Sequence, residues 1–78
     1  MKVEVWLFST LRKYLPSGAQ GNRAVVELPE GSTLADLVEH LGLQEEALVG
    51  TVNDEQAHWG LKLKDGDRVS FFPPLAGG

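Results

Sequence analysis

Cysteine is absent from the 78 residues of this chain. That excludes disulfides, thiolate metal sites, thiol nucleophiles and any persulfide carried on a side chain. Cations are few and dispersed: Lys2, Arg12, Lys13, Arg23, Lys62, Lys64 and Arg68 form no cluster, and the formal net charge is −4. A nucleic-acid footprint needs concentrated cations, so no nucleic-acid partner is expected and a basic partner surface fits better. Also missing are an N-terminal signal and any apolar run long enough to span a bilayer, so the expected protein is soluble and cytoplasmic, with no membrane partner. Length is short as well. A single domain of this size buries only about 60% of its unfolded surface, which leaves little room for an enclosed active site.

What the chain does have is a graded ending, Phe71-Phe72-Pro73-Pro74-Leu75-Ala76-Gly77-Gly78. Phe71 and Phe72 suit a half-buried strand, whereas Pro73 and Pro74 lack amide protons and fix φ near −65°. The sheet is therefore expected to end at Phe72. The six residues from Pro73 onward form an arm that reaches about 20 Å when extended. With no β-carbon at Gly77 or Gly78, the tip fits a channel too narrow for side chains, and the carboxylate of Gly78 becomes the reactive group. Termini also fray by default. The order strand, diproline, diglycine favours a functional tail over a frayed one.

Lys2 to Phe8 alternates, placing Val3, Val5 and Leu7 on one face of a first strand and Lys2, Glu4, Trp6 and Phe8 on the other. Trp6 and Phe8 thus mark either a covered outer face or a partner surface. Ser9 to Tyr14 reads as a turn or short helix, and residues 16–22 as loop. Arg23 to Leu28, closed by Pro29-Glu30-Gly31, reads as a second strand returning beside the first. Leu34, Leu37, Val38 and Leu41 then form the stripe of an amphipathic helix that should face the sheet. Thr33 is the expected N-cap, Asp36 its capping-box partner and Gly42 the stop. Asp36, Glu39 and His40 lie off the stripe and carry no chemistry. Leu48 to Val52 reads as a third strand, Asn53 to Gln56 as a polar turn, and Ala57 to Leu61 as a short edge strand. His58 has no ligand set around it. Asp65-Gly66-Asp67 lacks the remaining ligands of a calcium loop and reads as a turn, leading into a last strand, Arg68 to Phe72, with Val69 and Phe71 inside and Phe72 outside.

The order strand, strand, helix, strand, short strand, strand predicts an α+β fold. One helix can cover one sheet face, so the expected solution is a β-grasp over residues 1–72, a mixed sheet wrapped on that helix with the first and last strands parallel, followed by the tail over residues 73–78. Trp6, Phe8 and Phe72 would then lie near one another.

Four stretches resemble the MoaD/ThiS family of ubiquitin-like sulfur carriers: Val5-Trp6-Leu7-Phe8 with Leu11-Arg12, Pro29-Glu30-Gly31-Ser32-Thr33-Leu34, Val52-Asn53, and Asp65 to Pro74 leading into Gly77-Gly78. The diproline tail is more similar to the small subunit of molybdopterin synthase than to the thiamine-pathway carrier. The resemblance implies activation by an E1-like adenylating enzyme that uses ATP and magnesium; this chain itself would bind no cofactor. Gly78 is joined to AMP, and a sulfur donor then converts it to a thiocarboxylate. The sulfur acceptor would be the molybdopterin synthase large subunit, contacted through Phe8 and Phe72 with Arg12 and Trp6 beside them, and carrying the catalytic groups itself. The same thiocarboxylate could serve thiamine, tungsten-pterin or RNA thiolation pathways, and Gly78 could instead form isopeptides as a protein modifier.

Overall fold

The computed structural model describes residues 1–74. Strand β1 (Lys2–Leu7) buries Val3, Val5 and Leu7, as its alternation requires. It pairs antiparallel with β2 (Arg23–Glu27) and parallel with β5 (Arg68–Phe72). On the other side of β5 lies β3 (Val49–Val52), antiparallel, and beyond it β4 (Glu55–Gln56), giving the order β2-β1-β5-β3-β4. The chain is a β-grasp, with a mixed sheet and its first and last strands parallel and adjacent. Among the described residues no helix is long and apolar enough to cross a membrane.

Helix α1 (Leu34–Leu41) packs Leu34, Leu37 and Leu41 into the core, while Val38 is half-buried at its margin. Its start is fully accounted for. The Asp36 amide donates to Thr33 Oγ1 and the Thr33 amide to Asp36 Oδ2, the reciprocal capping box. The amides of Leu34 and Ala35 donate to the carbonyls of Leu61 and Trp59, and that of Leu37 to Thr33. At the other end Gly42 takes φ 81°, a left-handed value that a side chain disfavours, and the Leu43 amide closes back on Val38. Leu43 is fully buried beneath it.

One expected element is different. Asn53 and Asp54 both adopt positive φ, 51° and 72°, so the chain reverses within two residues and Glu55 already faces Val52. The edge strand is therefore Glu55–Gln56, and Ala57 to Leu61 is not a strand. That segment crosses to the start of α1, where its carbonyls serve the helix amides. Asp65-Gly66-Asp67 is a turn as expected. Asp65 Oδ1 accepts from the Lys2 amide, which braces the turn against β1, and Asp67 Oδ2 accepts from that of Lys64, which closes the turn on itself.

The core centres on Phe71, fully buried between sheet and helix. Gly50 admits it: a β-carbon there would sit 3.2 Å from the Phe71 ring and 3.4 Å from Leu34. Leu37 is fully buried as well, so Leu37→Ala should cost about 2 to 5 kcal/mol in chemical denaturation. A midpoint that does not move would contradict this packing.

Candidate functional site

Phe8 follows β1 in extended conformation, φ −116° and ψ 157°, so it keeps the outward phase of Trp6. Ser9 then turns at φ 56° into a 3-10 helix, Ser9–Tyr14. Leu11 anchors that helix in the core, and the Tyr14 hydroxyl donates to Glu46 Oε2 at 2.5 Å. Arg12 and Lys13 are left exposed. On β5, Phe71 points inward and Phe72 outward, 37% exposed. Parallel pairing sets Leu7 opposite Phe71, which brings Phe8 beside Phe72.

The rings meet. Phe8 stacks on Phe72 with centroids 4.9 Å apart and planes 4° apart, and Trp6 stacks on Phe8 at 6.2 Å and 13°. Offset stacking of this kind contributes about 0.5 to 1.5 kcal/mol per pair beyond burial. On the far side of Phe72 its register partner is Val49, and an open apolar depression is lined by Phe8, Ser9, Thr10, Val49, Phe72, Pro73 and Pro74. Trp6 and Arg12 do not line it. Strand pairing stops at Phe72, and Pro73 and Pro74 leave from this depression. The expected tail residues Leu75, Ala76, Gly77 and Gly78 lie outside the described residues.

Two contributors went unnoticed in the sequence. Val49 enters through the β3 register with Phe72, which no local pattern announces. Glu4 was readable, since it sits two residues from Trp6 on the same face: its Oε2 accepts from Trp6 Nε1 at 2.5 Å and its Oε1 from Arg23 Nε at 3.1 Å. The indole bond first, and then the Arg23 guanidinium, hold the Glu4 carboxyl below its ordinary value of 4.5; partial desolvation opposes them, and the charges of Arg23 and Arg68 add to the lowering.

Residues 5–78 match the ThiS family. The chain belongs to that family. That family, of the MoaD/ThiS kind, is one of small ubiquitin-like sulfur carriers. A protein of Pyrococcus furiosus assigned as subunit 1 of molybdopterin converting factor shares 31% identity and a TM-score of 0.78, over 95% of this chain and 98% of that one. A chain of the complex of subunits 1 and 2 of molybdopterin-converting factor from Helicobacter pylori 26695 shares 25% identity with the present one and a TM-score of 0.61, over 100% of each. SAMP1 from Haloferax volcanii, at 22% identity, TM-score 0.75 and full coverage of both chains, shares the fold. No curated protein sequence matches.

A depressed carboxyl pKa stabilises the folded chain above the unfolded value, and that contribution is lost as pH falls through the folded value. With Trp59→Phe leaving Trp6 as the sole tryptophan, Trp6 emission should hold steady down to about pH 4.5 and step only below it. Glu4→Gln should abolish the step; a step that survives in that variant assigns the transition to another group.

Proposed function

We propose that this protein is the small, sulfur-carrying subunit of a molybdopterin synthase. What carries the reading is that the ThiS family match runs through Gly78, so the family likeness includes the diglycine end as well as the fold. The likeness to subunit 1 of molybdopterin converting factor supports the choice of pathway, as does the H. pylori complex, in which such a subunit accompanies subunit 2.

The chemistry follows from the carboxylate. A terminal carboxyl has a pKa near 3.5 and is ionised at neutral pH, so it is a nucleophile but a poor acyl donor. On an E1-like partner it attacks the α-phosphorus of ATP, held with magnesium, and pyrophosphate leaves. A sulfide equivalent from the donor then displaces AMP and leaves a thiocarboxylate on Gly78. Sulfur is thereby held without a cysteine. The large subunit supplies the catalytic groups, while this chain supplies the docking face and the arm, with Phe8 and Phe72 as anchors and Arg12 as a polar contact on the neighbouring helix.

Intact-protein mass spectrometry after incubation with the adenylating enzyme, ATP and a sulfur donor should show one oxygen of wild type replaced by sulfur. Adding a residue after Gly78 displaces the reactive carbonyl by about 3.5 Å, outside near-attack distance, and should abolish the product while leaving the fold intact. Isopeptide adducts on lysines in place of the thiocarboxylate would make the protein a modifier, and neither product would end the carrier reading.

Docking is tested separately. Phe72→Ala should fold normally and weaken binding to the large subunit by about 2 kcal/mol or more, measured by calorimetry. Unaltered affinity would place the interface elsewhere.

A further inference from the structure

In the aromatic row Phe8 lies in the middle, parallel to both neighbours, with Phe72 at 4.9 Å and Trp6 at 6.2 Å between centroids. The three rings thus form one apolar strip running into the open depression lined by Phe8, Val49 and Phe72, a surface that suits apolar side chains of a partner protein.

The end ring is held in place by a hydrogen bond. Trp6 is half-buried and is the register partner of Arg23 on β2. Glu4 lies diagonally across from Arg23, within reach of a long side chain. It joins the two, taking the indole N–H on one oxygen and the guanidinium on the other. Arg23 is a fixed base for this arrangement, because its amide and carbonyl both bond to Gln20, at 3.0 and 2.9 Å. Glu4 is thus a bridge from the edge strand to the row, and its indole bond fixes how Trp6 lies against Phe8.

We infer that Glu4 and Arg23 are positioning residues that hold Trp6 as the third ring of the docking row, and that the row fits a protein surface offering apolar side chains. This rests on the reading that the outer face docks a partner, and it extends that face beyond the Phe8 and Phe72 pair toward β2. Preformed rings have little rotamer freedom left to lose on binding, so the clamp acts by lowering the ordering cost.

The test uses the full chain carrying Trp59→Phe and the molybdopterin synthase large subunit as the probe. In the free chain, Glu4→Ala should move the Trp6 indole N–H resonance toward that of free indole and shift the ring resonances of Phe8 and Phe72. Affinity for the large subunit should fall about tenfold, mostly through faster dissociation. Glu4→Gln keeps an acceptor for the indole and should restore binding to within about twofold of wild type, a rescue that loss of a surface ion pair alone would not give. The loss caused by Trp6→Ala should be the same at low and high salt, since an apolar contact involves no counter-charge. If Glu4→Ala leaves the resonances or the affinity unaltered while Phe72→Ala weakens binding, the clamp is overturned and the docking face stands. If Phe72→Ala is also without effect, the docking face fails and takes the clamp with it. A Trp6→Ala loss that shrinks with salt would overturn the assigned partner chemistry.

Discussion

The outer face depends on β1 and β5 lying side by side and running the same way. Parallel neighbours cannot be joined by a tight turn, so the whole intervening chain serves as the crossover, and both strands finish at one end of the sheet. That puts Phe8, Phe72 and the diproline together. The register leaves no latitude, because a slip of one residue would turn Phe71 outward and force Phe72 inward. The core specifies against this: Phe71 fills the space that Gly50 leaves open beneath Leu34, and Phe72 has no such cavity to enter. Burial of one phenylalanine therefore fixes the exposure of the next.

Much of this was legible because period-two and period-3.6 patterns report burial directly. Val3, Val5 and Leu7 identified β1, the stripe from Leu34 to Leu41 identified α1, and Thr33, Asp36 and Gly42 marked its ends through chemistry confined to a few residues. The parallel pairing of first and last strands was inferred only from the need to cover one helix with one sheet, yet it sufficed to place Trp6, Phe8 and Phe72 together. The edge strand was misread because Asn53 and Asp54 make the whole turn alone; a loop drawn through Gln56 pushes the strand past its true place. Ala57 to Leu61 looked like a strand for want of any local sign that its carbonyls serve α1. Val49 and Arg23 join the outer face through register across β3 and β2, and register is set by tertiary packing.

A chain this small spends its apolar residues on one core, with Phe71 and the leucines of α1 at its centre. What remains for function is surface. The aromatic row occupies part of it, and Glu4 with Arg23 stiffens the row at its β2 end. Stiffness matters because an open face has no walls to impose an orientation on a partner. Under the proposed docking three rings in fixed registry supply one, and Pro73 and Pro74, which cannot donate to a ladder, keep β5 from being prolonged by strand pairing.

Under the proposed function, face and arm have distinct physical roles. Docking through the row converts the meeting of the tail with a partner's site from a bimolecular to an intramolecular event, whose effective concentration depends on the reach between anchor and reactive atom. Phe72 is the last paired residue and also an anchor, so that reach is counted from the docking contact itself. Six residues separate Phe72 from the end of the sequence at Gly78. A longer spacer would dilute the reactive group and a shorter one would fall short of the site. The two prolines restrict the first steps of that spacer to near −65° in φ, narrowing the directions in which the arm can leave. The rigid row and the stiff start of the arm are thus parts of one constraint: the first sets where the chain sits on its partner, and the second sets where a reactive terminus points from there.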